Sequence, residues 1–278
     1  MKRLACITLL CLHSLCLAQE KAPAGYRLVW ADEFEKAGRP NPANWVFEQG
    51  FLRNQELQWY QEPNAFCEKG MLIIEGRKES RPNPTYVKDS MDWRTSRKTI
   101  EYTSACVTTQ GKHSWKFGRF EIKARIKSAA GLWPAIWTLG VEGQWPSNGE
   151  VDILECYKGQ ILANACWGTG KDWTAKWDSS KKPLASFNDP QWEEKFHVWH
   201  MDWDEKEIRL YVDGILLNTI DLTKTLNPKG TPKNPFHQPH YLLLNLAIGG
   251  QAAGDPTGTS FPTRYEIDYA RVYQKTGK

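Results

Sequence analysis

Beyond its first 20 residues the sequence lacks any apolar run long enough to span a bilayer as a helix. It also lacks a marked charge imbalance, since 36 Lys and Arg face 32 Asp and Glu for a formal net charge of +4. We therefore expect neither a membrane span nor the basic face of a nucleic-acid-binding protein. With 41% hydrophobic and 24% charged residues, the composition is typical of a folded globular protein.

Cysteine is scarce and scattered. Three of the seven cysteines lie within the first 16 residues, and the other four are Cys67, Cys106, Cys156 and Cys166. These four lack the short Cys-x-x-Cys spacing of a zinc site, so we expect free, buried thiols.

The N-terminus, MKRLACITLLCLHSLCLAQE, carries two cations followed by an apolar run over residues 4–17 that is too short to span a bilayer. We predict a signal peptide over residues 1–18, cleaved after Ala18, and one domain over residues 19–278. The mature protein is then expected to be soluble and secreted or periplasmic. A lipid anchor through Cys16 is less favoured, because the residue before it is not small.

Several segments alternate apolar and polar residues as half-buried strands do. They are GRFEIKARIK (118–127), EIRLYVDG (207–214) and YEIDYARVY (265–273), the second of which ends in an Asp-Gly hairpin signal. The continuous run YLLLNLAIGG (241–250) suggests a strand covered on both sides, although periodicity alone does not exclude a buried helix. A short helix is predicted near DPQWEEKFH (189–197).

Polar, Pro-rich stretches at 80–97 and 227–240 predict long surface loops. Without an internal repeat or a sustained period of 3.6, the pattern predicts an all-β fold, an antiparallel two-sheet β-sandwich. We expect this protein to be a monomer. Fourteen tryptophans are many for such a chain, and we expect about half of them to lie in the core.

The segment WPSNGEVDILE places Glu150, Asp152 and Glu155 among strongly apolar residues. Acids are depleted from strands and costly to bury, so a solvated edge strand or a chemical site must explain them. In a regular strand Glu155 would face away from the other two acids. A β-bulge at Ile153 or Leu154 would return it to their face.

Paired carboxylates are the groups that hydrolyse glycosidic bonds, one as nucleophile and the other as general acid and base. A third acid between them can hold a proton and keep the two pKa values apart. A solvated edge strand would have polar spacers, whereas Val151 and its fellow spacers are apolar. The pattern therefore favours catalysis.

GEVDILE resembles the ExDxxE signature of glycoside hydrolase family 16, in the bulged form of laminarinases and agarases. LVWADEF, NQELQWY (54–60), GLWPAIW (131–137) and YEIDYARVYQ also resemble family segments, so the resemblance covers nearly the whole mature chain. It implies a β jelly roll with a concave substrate cleft and an endo-acting, retaining enzyme. It further implies that Glu150 is the nucleophile, Asp152 its assistant and Glu155 the acid/base.

Aromatic residues near the acids are candidates for stacking on sugar rings. For Trp133 and Trp145 we favour a role in stacking on sugar rings. For Trp137 a position in the core is about as well supported as such a role. Asn54 and Glu56 resemble family residues on the minus side of the cleft, with a hydrogen-bonded loop as the alternative.

Trp167 is a further substrate candidate, in the segment NACWG. Many laminarinases have a His before the aromatic residue here, whereas this chain has Cys166. This difference weakens the inference that this chain shares the β-1,3-glucan specificity of the laminarinases. By strand alternation we expect Cys166 to face the cleft and Cys156 to face the interior.

The sequence thus predicts a secreted, retaining endo-β-glycanase that acts on a polysaccharide, β-1,3- or mixed-linkage glucan. Two alternatives stay open: an endo-β-galactosidase acting on agar-like or host O-glycan chains, and a non-catalytic carbohydrate-binding sandwich. No cofactor is expected for catalysis. The resemblance also implies a structural calcium, with Glu33, Gly70 and Asp268 at the matching positions.

Overall fold

The computed structural model describes residues 22–229 and 231–277. The predicted signal peptide and Cys16 lie outside these ranges. The strands in chain order are β1 (Tyr26–Asp32), β2 (Val46–Phe47), β3 (Gln58–Tyr60), β4 (Ala65–Glu68), β5 (Met71–Pro82), β6 (Thr99–Ser104), β7 (Cys106–Thr108), β8 (Gly118–Arg125), β9 (Leu132–Gly140), β10 (Glu150–Tyr157), β11 (Gln160–Gly168), β12 (Ala175–Pro183), β13 (His197–Trp203), β14 (Glu207–Val212), β15 (Ile215–Asp221), β16 (His240–Ile248) and β17 (Thr263–Lys275).

These strands form two sheets. The first has the order β15-β14-β13-β8-β17-β5-β6-β3, with β1 beside β17 and β4 beside β5, and the second has the order β12-β11-β10-β9-β16-β7-β2. Neighbouring strands in the described ranges run antiparallel except β3 and β6, which form a short parallel pair at one sheet edge. The predicted all-β, two-sheet sandwich is confirmed, with this parallel pair as an exception to its antiparallel pairing.

Alternation of side chains builds the core between the sheets. In β8 the residues facing inward, such as Phe120 and Ile122, are buried, and the Lys and Glu between them are partly exposed. The hairpin between β14 and β15 turns at Asp213 and Gly214, whose φ angles of 48° and 77° are those of a type I′ turn. Each fully buried aliphatic or aromatic side chain contributes about 1.5–3 kcal/mol, so the alternating pattern fixes the register.

Residues 240–248 form a strand that is buried along its whole length, so the helical alternative for this segment is wrong. Its two faces meet different surroundings. Leu242 and Leu244 pack into the core between the sheets, and Tyr241 and Leu243 join a smaller apolar cluster on the other face.

The short helix predicted near 189–197 is present only as one 3-10 turn, Trp192–Glu194. His197 begins the next strand, and its Nε2 lies 2.8 Å from the carbonyl oxygen of Trp192, the first residue of that turn. The two short α-helices of the described chain are α1 (Trp93–Ser96) and α2 (Gly250–Ala253). The other 3-10 turns are Glu62–Asn64, Leu184–Phe187, Leu222–Lys224 and Pro235–His237.

The predicted loops are partly ordered into regular structure. β5 continues to Pro82, three residues into the stretch 80–97, and α1 lies near the end of that stretch. In 227–240 a 3-10 turn precedes β16. The polar composition predicted that these stretches lie at the surface. It did not predict the short elements in them, because these are held by contacts with residues distant in the sequence.

All four cysteines of the described ranges are free and buried, as predicted. Cys156 lies in the core between the sheets. Cys166 is paired with Glu150 across the strands and therefore faces the same side as that acid. No helix within residues 22–229 or 231–277 is long and apolar enough to cross a membrane.

Candidate active site

A β-bulge interrupts β10 between its acidic residues. Asp152 lies opposite Asn164 of β11, and Glu155 lies opposite Leu162, so three steps along β10 correspond to two along β11. The pairing of β10 with β9 shifts at the same place. The predicted bulge is confirmed, and it turns Glu155 back toward the face of the other acids.

The bulge also has an anchor in the core. Ile153 and Leu154 are both fully buried and belong to the hydrophobic cluster between the sheets. Glu150, Asp152 and Glu155 line one cleft of about 690 Å³ on the opposite face of the strand. Two apolar residues held inward thus fix three carboxyls on one surface, which excludes the solvated-edge interpretation.

Glu155 is held by hydrogen bonds at both carboxyl oxygens. Trp133 Nε1 donates to Oε1 at 2.8 Å and Asn164 Nδ2 donates to Oε2 at 2.9 Å. Burial, followed by the charge of Glu150, raises the pKa of Glu155 from 4.5 to about 7. This carboxyl can therefore carry a proton near neutral pH and deliver it from a fixed position.

Glu150 accepts a hydrogen bond from Trp145 Nε1 at 2.7 Å. Burial raises the pKa of Glu150 above its usual value, and the Trp145 hydrogen bond and the Arg53 charge act in the opposite direction. A hydrogen-bond donor and a nearby cation favour the ionised form of a carboxyl. Glu150 is thus better suited than Glu155 to be an anion.

Asp152 is the most buried of the three acids, at 2% exposure. Burial, followed by the charges of Glu155 and Glu150, raises its pKa well above the usual value. Its Oδ2 is buried without a hydrogen-bond partner in the described chain. A protonated Asp152 between two acids has an O–H to donate, so it can hold the proton that the three groups share.

The predicted aromatic residues Trp133, Trp137 and Trp145 all line the cleft. Trp137 is only 7% exposed, and its Nε1 donates to Asn245 Oδ1 at 2.7 Å. The Arg53 guanidinium lies 5.0 Å from the centre of the Trp137 ring. Trp137 is therefore a packed, nearly buried part of the cleft wall.

Asn54 and Glu56 also line the cleft. The two side chains are hydrogen-bonded to each other, Asn54 Nδ2 donating to Glu56 Oε1 at 3.1 Å, and their role in substrate binding stays a prediction. Gln58 Nε2 donates to the other Glu56 oxygen at 2.6 Å. Burial is the main cause that raises the pKa of Glu56.

Trp167 does not reach the cleft, and its prediction as a substrate residue is wrong. It is 4% exposed and packs in the core between the sheets, with its ring 6.5 Å from that of Phe236. Alternation is the reason, because Cys166 occupies the cleft-facing position and its neighbour must point inward.

Sequence reasoning missed several residues that line the cleft: Arg53, Arg94, Asn164, Trp173, Trp177 and Asn245. Asn164 had a usable signal, since it lies two residues before the cleft-facing Cys166 on the same strand. The others come from separate loops and strands whose meeting depends on the tertiary fold. Arg94 is held in place by two hydrogen bonds to the Leu52 carbonyl oxygen, 3.2 and 2.7 Å long.

Strand register brings the predicted calcium positions close together. Asp32, just before Glu33, is opposite Ala270, and Leu72, two residues after Gly70, is opposite Ile267. Asp268 lies where the pairing of β17 with β8 shifts by one residue.

The carboxylates at these positions are engaged by cations. Arg271 Nε donates to Glu33 at 2.8 Å, and Lys123 Nζ lies 2.8 Å from Asp268. The described ranges contain no group of three or more His, Cys, Asp or Glu side chains that could hold a metal. As placed, these side chains do not fit Ca²⁺ unless Lys123 releases Asp268, so the calcium stays a prediction.

Chelation tests this prediction. A bound calcium would stabilise the folded state by RT ln(1 + [L]/Kd), so the calcium hypothesis predicts that EDTA lowers the melting temperature by several degrees and leaves the initial rate nearly unchanged. Asp268→Asn should abolish that shift. A melting curve that EDTA does not move would leave the Lys123–Asp268 ion pair as the resident interaction and remove the metal from this position.

Known proteins resemble this chain over most of its length. Residues 76–271 match the family described as glycosyl hydrolases family 16. A β-glucanase from Rhodothermus marinus is 36% identical over 92% of this chain and 87% of its own length.

Solved structures give the same result. One, described with the endo-acting O-glycanases with which members of the human gut microbiota initiate mucin breakdown, has a TM-score of 0.83 at 34% identity and covers 91% of this chain and 92% of its own. The laminarinase catalytic domain from Thermotoga maritima has a TM-score of 0.75 at 34% identity and covers 91% of this chain and 99% of its own. The chain belongs to glycosyl hydrolases family 16 and is an endo-acting glycoside hydrolase.

Proposed function

We propose that the protein is a secreted, retaining endo-β-glycanase whose substrate is a β-1,3- or mixed-linkage β-1,3/1,4-glucan. The observation that carries the chemistry is the bulged strand with Glu150, Asp152 and Glu155 on one cleft. The glucan assignment is supported by the similarity to the β-glucanase and the laminarinase domain.

In this mechanism Glu155, protonated, donates its proton to the glycosidic oxygen while Glu150 attacks the anomeric carbon. The bond to the leaving sugar breaks, and a covalent ester joins Glu150 to the remaining sugar. Glu155, now a carboxylate, takes a proton from water, whose oxygen attacks the same carbon and releases Glu150. Two inversions give net retention of the anomeric configuration.

The surroundings of the two glutamates match these roles. Trp133 and Asn164 fix Glu155 beside the cleft, and its pKa of about 7 keeps it protonated on the acidic side of neutrality. Trp145 holds one oxygen of Glu150 and leaves the other available for attack. The two carboxyls therefore differ in environment as an acid and a nucleophile must.

Asp152 is assigned a supporting role, because its high pKa allows it to donate a hydrogen bond to Glu150. Asp152→Asn retains a hydrogen-bond donor but removes the proton that the carboxyl can exchange. We expect kcat to fall roughly 10- to 100-fold, an effect between no change and the loss of a principal carboxyl. Steady-state kinetics on the preferred polysaccharide measure it. Full activity in this variant would make Asp152 a spectator.

A second candidate substrate is a β-galactoside-containing O-glycan or agar-like chain. It is favoured by the TM-score of 0.83 with the O-glycanase-associated structure, against 0.75 with the laminarinase domain. Cys166 on the cleft face, where the resemblance suggests His, points the same way. The third alternative, a non-catalytic binding sandwich, does not agree with the presence of all three acids in one cleft.

Product analysis on laminarin, lichenan, agarose and mucin O-glycans distinguishes the first two candidates. Release of short oligosaccharides from laminarin or lichenan alone supports the glucan assignment, and release from mucin glycans or agarose alone replaces it with the galactoside. Proton NMR during the first turnovers should show the β-anomer before mutarotation. An α-anomer as first product would contradict the retaining mechanism.

Secretion and the monomeric state are part of the same proposal. Secretion is supported by the charged and apolar pattern of residues 1–18. N-terminal sequencing of protein recovered outside the cytoplasm should begin at Gln19. Size-exclusion chromatography with light scattering should give the mass of one chain.

A further inference from the structure

One half of the cleft carries residues to which the reaction above gives no role. Strand β11 lies between β10 and β12, and paired residues on neighbouring strands present their side chains to the same face. The columns that begin at the three acids are Glu150–Cys166–Trp177, Asp152–Asn164–Ser179 and Glu155–Leu162–Lys181. The surface that bears the acids therefore continues across β11 onto β12.

Two large aromatic side chains are exposed on this continuation. Trp173 is 66% exposed and Trp177 is 45% exposed, and both line the cleft. Trp173 has a φ of 55°, a left-handed conformation that is uncommon for a bulky residue. Its ring stacks on that of Trp145 at 6.4 Å and 28°, and Trp145 in turn donates a hydrogen bond to Glu150. The exposed aromatic surface is thus contiguous with the reacting carboxyl.

The strand that carries Trp177 is fixed from behind. Asn218 Nδ2 donates both to the Ala163 carbonyl oxygen at 3.0 Å and to Asp178 Oδ1 at 3.1 Å, which ties β12 to β11 and to β15. The Lys176 ammonium lies 5.4 Å from the centre of the buried Trp167 ring. Because the backbone is held on its other face, the Trp177 ring is presented at low entropic cost.

The mixture of groups on this surface matches a sugar chain. Flat indole faces pack on the C–H faces of pyranose rings, and the hydroxyls of the rings need hydrogen-bonding neighbours. Ser179 and Lys181 supply such groups on the same strand and line the same cleft. Lys181 is exposed and lines the cleft, so its ammonium can reach ligand oxygens.

The opposite end of the cleft, beyond β9 and β16, is lined by Asn54, Glu56 and Arg94. The resemblance assigns Asn54 and Glu56 to the minus side. An endo-acting enzyme binds its chain on both sides of the scissile bond, so the β12 end is left for the leaving-group sugars. We propose that Trp173 and Trp177, together called the β12 platform, bind the sugar rings on the leaving-group side. This inference rests on the proposed glycanase function.

The test compares two substrates that differ only on the leaving-group side. The first is the polysaccharide that the wild-type enzyme cleaves best, and the second is the β-glycosyl fluoride of its repeating disaccharide, whose leaving group is a single atom. Trp177→Ala and Trp173→Ala should each lower kcat/KM on the polysaccharide roughly 3- to 10-fold, mainly through KM. On the fluoride both variants should stay within about 2-fold of the wild type.

Ile215→Ala is the matched control, since Ile215 is 44% exposed and lies outside the cleft lining. It should leave both substrates unaffected. Trp177→Phe retains an aromatic face and should recover part of the loss. A binding measurement adds a second readout: in the Glu150→Gln background, Trp177→Ala should weaken binding of a long oligosaccharide and leave that of the disaccharide unchanged.

Equal losses on polysaccharide and fluoride would overturn the assignment to the leaving-group side. Unchanged polysaccharide kinetics in both variants of an active enzyme would overturn the β12 platform while the proposed function stands. A folded wild-type protein that cleaves no glycan would overturn the proposed function and this inference with it.

Discussion

Glu150→Gln is expected to lower kcat by at least about 10⁴-fold on every substrate, activated or not. The amide cannot form the covalent intermediate. No other carboxyl in the described chain accepts the Trp145 hydrogen bond that positions Glu150, so none is held in its place. The fold should be retained, because the substitution is isosteric and keeps an acceptor for that hydrogen bond. Initial rates on polysaccharide and on an activated aryl glycoside measure the loss, with circular dichroism as the check on folding.

Glu155→Gln provides the contrast. Without a proton donor, polysaccharide cleavage should fall roughly 10²- to 10⁴-fold, whereas formation of the covalent intermediate from an aryl glycoside with a good leaving group should be nearly unaffected. Accumulation of that intermediate should be visible by intact-protein mass spectrometry, and peptide fragmentation should place the glycosyl ester on Glu150. Equal damage by both substitutions on the activated substrate would refute the assigned roles.

The second large effect is a loss of activity as the pH rises through about 7. Glu155 must be protonated to donate, and its pKa is about 7, so kcat/KM on polysaccharide should fall about tenfold per pH unit above that value. On the acidic side the rate should fall as Glu150 gains a proton, at a pH above its usual 4.5 because burial raises its pKa. The pair titrates together, so the profile reports values of the pair.

Trp133→Phe is expected to shift the alkaline side of the profile of kcat/KM against pH to higher pH. The Trp133 hydrogen bond favours ionised Glu155 and lowers its pKa, so its removal should raise that pKa and shift the limb to higher pH. The profile of kcat/KM against pH measures this shift. A limb that stays in place would mean that a group other than Glu155 sets it.

The raised pKa of Glu155 also means that this residue destabilises the folded state when it is ionised. Its pKa is about 7 when folded against 4.5 for the free side chain, so the native state binds the proton more tightly. Stability is therefore lost as the pH rises from about 4.5 through 7, by roughly 1–3 kcal/mol because the open cleft screens part of the shift. Glu155→Gln should be more stable than the wild type at pH 8 and equal to it at pH 4 in urea unfolding.

The bulge and the face of Ile153 could be predicted from the sequence because strand alternation is local and the apolar spacers leave few solutions. The parallel β3–β6 pair could not, since it depends on contacts between segments some 40 residues apart. Trp167 was predicted as a substrate residue because it lies beside the position where related enzymes have a His. Strand alternation, which correctly placed Cys166 on the cleft face, puts Trp167 in the core. The residues at the β12 end of the cleft could not be predicted either, because their position depends on the order of strands in the sheet, which periodicity does not determine.

The bulge makes this site sensitive to chain length in one direction. Removing one of the two buried residues, Ile153 or Leu154, would give a regular strand in which alternation keeps Glu155 on the cleft face, still opposite Leu162 and at a similar distance from Glu150. Adding one residue would turn Glu155 into the core if the bulge is kept, where an unpaired carboxyl is expensive. In a regular strand it would instead place Glu155 six steps from Glu150, roughly 20 Å along the strand and too far for a retaining pair. Shortening is thus tolerated by the geometry and lengthening is not, so length variation among related sequences should be one-sided at this point.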